Sequence, residues 1–151
     1  MHFISFLLTL FLSLNTTITG KVVKVSDGDT IIILDSTNTQ HKIRLYGIDC
    51  PEKKQDYGVK ATEFTGRLCA GKVVRVEVKG RDRYGRTLGI VYAGEININE
   101  ALLRNGLAWH YKQFDKSKRY AALENETRIK RLNIWNLKNP VAPWDFRKRK
   151  H

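Results

Sequence analysis

An α+β fold dominated by β-structure is predicted by three features of the chain. Short runs rich in β-branched residues alternate with Gly, Asp and Asn turns, one helix-spaced segment interrupts them after the third run, and two further helical segments follow the last. At 151 residues the chain has room for one domain around one core.

Ile18 to Val25 (ITGKVVKV) reads as the first strand, Asp27-Gly28 supplies a turn, and Thr30 to Leu34 (TIIIL) returns beside it. A second turn at Ser36 to Asn38 leads into His41 to Ile48 (HKIRLYGI). There Ile43 and Leu45 share one face and Arg44 and Tyr46 the other, so Arg44 is expected to point away from the core face. Beyond Pro51, Tyr57, Ala61, Phe64 and Leu68 recur at helical spacing, and Gly71 ends that helix. Lys72 to Val78 (KVVRVEV) alternates as a fourth strand, and Thr87 to Tyr92 (TLGIVY) returns beside it across the turn from Lys79 to Arg86.

Asn97 or Asn99 can cap a second helix that carries Ala101, Leu102 and Leu103 and stops at Gly106. Ser117 can cap a third, with Ala122, Ile129 and Leu132 among its apolar positions. Trp135, Pro140, Pro143 and Trp144 mark an irregular tail that packs on the domain, and Arg147 to Lys150 (RKRK) reads as a frayed, solvated end. Five strands with a helix after the third predict a five-stranded Greek-key barrel of the OB type with three α-helices. The exposed face of such a barrel commonly binds oligonucleotides. The domain is expected over residues 18–146, with residues 147–151 as a basic tail.

Residues 1–17 have a different character. Phe3 to Leu14 (FISFLLTLFLSL) is an apolar run too short for the roughly 20 residues that span a bilayer, and it suits the core of a secretory signal. Only His2 precedes it in place of Lys or Arg, and no small-x-small cleavage site follows, so an uncleaved hydrophobic anchor is the alternative. A secreted or periplasmic, monomeric protein is expected, with no stable membrane partner unless the segment is retained.

The net charge of +12, from 27 Lys and Arg against 15 Asp and Glu, points to a polyanionic partner: nucleic acid, anionic membrane or sulfated sugar. Charge alone does not choose among them. Cys50 and Cys69 can form one bridge after export or stay as two small buried thiols; both readings stand open. The four histidines are too scattered for a zinc site.

Three clusters carry chemistry: DGDT at 27–30, RLYGIDCPE at 44–52 and RDRYGR at 81–86. Each alone reads as turn chemistry or a solvated basic loop. Together they place Asp29 at the start of the second strand and Asp49 and Glu52 at the end of the third, so three carboxylates are expected to converge. Such a trio is costly unless a cation or strong hydrogen-bond donors sit among them, and a hard divalent ion, calcium or magnesium, suits oxygen ligands. Arg44 and Arg86 add bidentate donors for a phosphate. Carboxylates, a metal and two arginines meet the needs of phosphodiester hydrolysis: a Lewis acid, a base for water and donors for developing charge.

These motifs, with NEALLRNGLAW and LNIW after them, resemble in order and spacing the staphylococcal (micrococcal) nuclease family, or thermonucleases, over nearly the whole chain after the apolar run. The resemblance implies the same OB barrel with three helices. It also implies a calcium-dependent endonuclease that hydrolyses DNA and RNA, single-stranded or denatured substrates favoured, by cleaving the 5′-side P–O bond and leaving 3′-phosphates. It further implies that Asp29 and Asp49 are calcium carboxylates, with Cys50 lending its backbone carbonyl. By the same resemblance Glu52 is the general base, Arg44 and Arg86 grip the scissile phosphate, and Arg83, Tyr84 and Tyr111 contact a terminal phosphate and the nucleotide. Two departures bear on substrate choice: a short loop at Lys53 to Asp56, and WHYKQF after Ala108 with one tyrosine where the best-known member has two. Some relatives keep the barrel without the catalytic residues, which makes a non-catalytic nucleic-acid-binding module the rival reading.

Overall fold

The computed structural model describes residues 16–149. The apolar run read as a signal or anchor, and the last two residues of the basic tail, lie outside the described residues.

Strand β1 (Thr17–Asp27) serves two neighbours. Its first half pairs antiparallel with β5 (Val73–Arg81) from Thr17 opposite Glu77 to Lys21 opposite Val73, and its second half pairs with β2 (Thr30–Leu34) up to Asp27 opposite Thr30. Irregularities between Val22 and Lys24 and between Val25 and Asp27 give the extra bend that lets one strand turn between two partners. β2 pairs with β3 (Gln40–Leu45), and β5 with β6 (Thr87–Ala93). Parallel pairing of β3 with β6, Ile43 opposite Thr87 and Leu45 opposite Gly89, closes the barrel. The predicted five strands are therefore present, with β2 at the predicted bounds, but the third ends at Leu45 instead of Ile48, because the chain turns at Gly47 with φ 75. Beyond the prediction, a short β7 (Ile96–Asn97) extends β6, and β4 (Ile48–Asp49) pairs with β8 (Trp109–His110).

Alternation along the strands turns Val22, Ile31, Ile33, Ile43, Val74, Val76 and Val91 into the barrel core. Helix α1 (Gly58–Cys69) caps one end with Ala61, Thr65 and Cys69, and Gly71 at φ 72 stops it as expected. Where α1 crosses the first hairpin, a Cβ on Gly28 would stand 2.8 Å from the Ala61 Cβ and 3.0 Å from the Cys50 Sγ, so only glycine lets the turn sit this close. The Thr65 hydroxyl donates to the Gly28 carbonyl at 2.6 Å across the same contact. Helix α2 (Ile98–Arg104) is capped by Asn97, whose side chain accepts from the Glu100 amide. Asn99 is buried, and its amide group bonds Val91 N–H and the Tyr46 and Gly89 carbonyls.

Helix α3 (Lys118–Ile129) starts at the Ser117 cap, as predicted, but buries another face. Tyr120, Leu123, Glu124 and Thr127 point inward, whereas Ala122 is exposed and Ile129 is 75% exposed. The reason is Glu124, whose carboxylate accepts the His110 amide at 2.6 Å and pairs with Arg128 and Lys112. A buried carboxylate so partnered is tolerated inside, so apolar spacing misjudged the helix face.

Among the described residues, the segment expected as an irregular tail contains two ordered elements. Trp135 lies in a 3₁₀ turn (Asn133–Asn136), and a fourth helix, α4 (Pro143–Lys148), follows with Pro143 in its first turn. Arg147 belongs to this helix, and its side chain reaches back into the domain; the solvated end expected from Arg147 is corrected accordingly. Cys50 and Cys69 are buried free thiols, so the bridged reading is set aside. No helix among the described residues is long and apolar enough to cross a membrane.

Candidate active site

The register of β2 and β3 sets Thr30 opposite Arg44, which puts Arg44 beside Asp29. Asp29 is buried, and its Oδ2 accepts the Cys50 amide at 2.6 Å, tying the first hairpin to the exit of β4. Asp49, the last residue of β4, is 1% exposed. Between the two aspartates lies the Arg44 guanidinium, with Nη2 at 2.9 Å from Asp49 Oδ1 and 3.4 Å from Asp29 Oδ2. Its Nη1 donates to the Leu45 and Ile48 carbonyls at 2.8 and 2.9 Å. Arg44 does leave the Ile43 face, but it turns into the protein and interlocks carboxylates and main chain.

Burial of these charges has an electrostatic cost. Asp27, whose Oδ1 accepts the Asp29 amide at 3.2 Å, is pushed up to about 7 by burial and then by the Asp29 charge. Asp49 is pushed up to about 6, chiefly by burial, with the Asp29 charge adding and the hydrogen bond from Arg147 opposing. Burial works against the charge of Arg44, yet Asp29 and Asp49 hold it protonated above its ordinary value.

Glu52 follows Pro51 on a tight loop. The Glu52 amide donates to Gln55 Oε1 at 2.9 Å, the Gln55 amide donates back to the Glu52 carbonyl at 2.8 Å, and Tyr57 at φ 67 turns the chain into α1. Gly58 permits this, because a Cβ there would fall on the Glu52 carbonyl. The three carboxylates expected to converge are interleaved with guanidinium groups: Arg44 separates Asp29 from Asp49, and Arg147 separates Asp49 from Glu52. Arg147 Nη2 is 2.7 Å from Asp49 Oδ2, and Nη1 is 2.8 Å from Glu52 Oε1. Sequence reasoning missed Arg147, which sits in a run of basic residues that looks like a solvated end.

The remaining predicted residues line the same cleft, of about 950 Å³, at its rim. Asp82 organises the turn between β5 and β6, accepting the Tyr84 and Arg86 amides on Oδ1 and Arg86 Nε on Oδ2 at 2.7 Å. Arg83 donates to the Tyr84 hydroxyl at 2.8 Å, and Tyr84 is 70% exposed. Tyr111 stacks on Trp144 with centroids 5.1 Å apart and planes 8° from parallel.

Among the described residues no group of three or more His, Cys, Asp or Glu side chains is arranged to hold a metal ion. The side-chain donors available here are the buried Asp29 and Asp49, with main-chain and solvent oxygens to complete a shell. Hard oxygens on desolvated carboxylates suit a hard divalent cation; burial is the main cause of the upward shifts of Asp27 and Asp49, and the neighbouring Asp29 charge adds to it.

Comparison with known proteins agrees with this architecture. The chain is 47% identical over 132 residues to an uncharacterized endonuclease of Escherichia coli, covering 87% of this chain and 86% of that protein. It is 40% identical over 130 residues to an uncharacterized endonuclease of Haemophilus influenzae, covering 86% and 73%. Over 109 residues it is 44% identical to the staphylococcal-like nuclease CAN1 of Arabidopsis thaliana, covering 72% of this chain and 34% of that longer protein. The profile of the family described as staphylococcal nuclease homologue matches residues 42–137, the span from β3 through the 3₁₀ turn, and the chain belongs to that family.

Proposed function

We propose that the chain is an exported, calcium-dependent nuclease that hydrolyses phosphodiester bonds in DNA and RNA. One observation carries this reading: buried Asp29 and Asp49, the Glu52 loop and the basic turn bearing Arg86 all line one open cleft. Endonuclease and nuclease relatives support it, and so does the net charge of +12.

Glu52 is the base: it takes a proton from water as the water oxygen bonds to phosphorus and the bond to the 5′ oxygen breaks. That oxygen leaves with the bonding pair and takes a proton from solvent to become a 5′-hydroxyl, and a 3′-phosphate remains. Arg86 donates to the phosphoryl oxygens as they gain charge, and to do so it releases Asp82, its partner at 2.7 Å. Arg44 contributes its fixed positive charge beneath them and keeps Asp29 and Asp49 from separating. Asp29, Asp49 and the Cys50 carbonyl would hold calcium, which supplies a Lewis-acid charge beside the phosphate when bound. Tyr84 and Tyr111 offer ring faces to unpaired bases, which favours single-stranded substrate.

The test is cleavage of denatured DNA and of RNA by the purified protein, with calcium and with a chelator. Cleavage that stops in chelator is expected. Retention of DNA without products under both conditions means a binding module, and undiminished cleavage in chelator removes the metal.

A further inference from the structure

We propose that the C-terminal segment from Val141 to Arg147 is a working wall of this site, and that Arg147 is the positioning residue of Glu52. The inference rests on the nuclease reading for its catalytic meaning, but its structural content stands on contacts of its own.

The segment grips Glu52 at two points. At the main chain, Gln55 Nε2 donates to the Val141 carbonyl at 3.0 Å, while Gln55 Oε1 holds the Glu52 amide at 2.9 Å. The backbone of residue 52 is thus fixed, through one side chain, to residue 141. At the side chain, Arg147 Nη1 donates to Glu52 Oε1 at 2.8 Å and to Asp49 Oδ1 at 3.3 Å, and Nη2 donates to Asp49 Oδ2 at 2.7 Å. One guanidinium therefore sets the distance between Glu52 and a buried aspartate of the proposed cation site.

An exposed ion pair commonly contributes little. This one differs in what it touches and in how it is held. The Asp49 side chain is 2% exposed, and both of its oxygens bond Arg147. The helix carrying Arg147 is seated by Ala142 and Pro143, both buried, and by Trp144, which stacks on Tyr111 and meets Trp109 edge-on at 5.6 Å. With Oε1 fixed by a charged donor, Oε2 is left to receive the proton from water, and a planar fork directs it more sharply than a point charge could. The family profile ends at residue 137, before Val141.

The experiment compares wild type with Arg147→Ala, Arg147→Lys, Glu52→Gln and the double variant Glu52→Gln/Arg147→Ala. It reads kcat and KM on single-stranded DNA, and amide hydrogen exchange across the protein. Arg147→Ala is expected to lower kcat between about tenfold and a hundredfold, the usual loss when the partner of a site carboxylate is removed, with little change in KM. Arg147→Lys, which keeps the charge without the fork, recovers part of the loss. In the Glu52→Gln background the same substitution changes kcat by less than about threefold, because coupled residues are not additive. Exchange at the Glu52 and Gln55 amides speeds up in Arg147→Ala while the barrel amides stay protected. Arg147→Ala with wild-type or higher kcat overturns the proposal, and so does a full additional loss in the Glu52→Gln background. If wild type does not cleave, the nuclease reading fails, and the loop amides still decide whether Arg147 orders the Glu52 loop; unchanged exchange there refutes it.

Discussion

Two hairpin turns of this barrel, each built on aspartates, end in opposite environments. The turn at Asp27 to Thr30 lies under α1 and forms the floor of the cleft, where Asp29 and its arginine, Arg44, are both buried. The turn at Arg81 to Arg86 stands at the rim, where Arg86 has one acidic partner, Asp82, and Tyr84 is largely exposed. Arg44 bonds two carbonyls and lies between two aspartates; Arg86 can exchange its one carboxylate for a phosphate. Floor charges are part of the fold, and in the proposed function the rim charges are the ones that meet substrate.

The contrast is broken most severely at Arg44. Arg44→Ala leaves buried Asp29 without its guanidinium partner and Asp49 with Arg147 alone, and loss of one partner from a buried pair costs about 3–5 kcal/mol. Urea unfolding is expected to show a loss on that scale together with lost cleavage; a wild-type midpoint would mean that the floor is not interlocked as described. Rim and base variants should behave in the opposite way. Glu52→Gln or Arg86→Ala is expected to lower kcat at least about a hundredfold, the scale of a general base or transition-state donor, with the fold intact by thermal unfolding. A near-normal rate in either places the chemistry elsewhere.

Tyr84→Ala sharpens the comparison more gently. Loss of one stacking face is expected to weaken single-stranded DNA binding by about 1–3 kcal/mol, seen as a higher KM at unchanged kcat; an unaltered KM removes Tyr84 from the binding surface. The smallest effect is at Asp27. A carboxyl raised from 3.8 to about 7 on folding binds more protons in the native state, so its contribution to stability falls as pH climbs between those values. Asp27→Asn is therefore expected to raise the melting temperature of the metal-free protein at pH 8, with little change at pH 4. Equal melting temperatures at pH 8 would show that Asp27 titrates normally.

Much of the barrel was legible because its signals are local. TIIIL is an apolar run rich in β-branched residues and became β2 at the bounds read from it, while Asn97, one of the two candidate caps, and Ser117 cap the helices that follow them. The floor of the site was legible in outline, since DGDT and RLYGID adjoin the strands that bring them together. What escaped depends on partners distant in sequence. Glu124 could be placed inside only by knowing of Arg128, Lys112 and the His110 amide, and Arg147 only by knowing of Asp49 and Glu52. A basic run looks the same whether it is solvated or aimed at buried acids; the Pro143-Trp144 pair just before it was the one local hint of a seated helix.

Closure of the barrel through β3 and β6 also constrains time. Ile43 cannot find Thr87 until the helix and two strands between them are made, and β1 has the same wait for β5. Topologies dominated by such distant pairings fold slowly, on the order of milliseconds to seconds, because loop entropy is lost before contacts repay it. A ribosome adds about 5–20 residues per second, so a chain synthesised only as far as Leu45 has no closing partner and stays threadable. That delay postpones assembly of the cleft until the later strands and α4 have joined it.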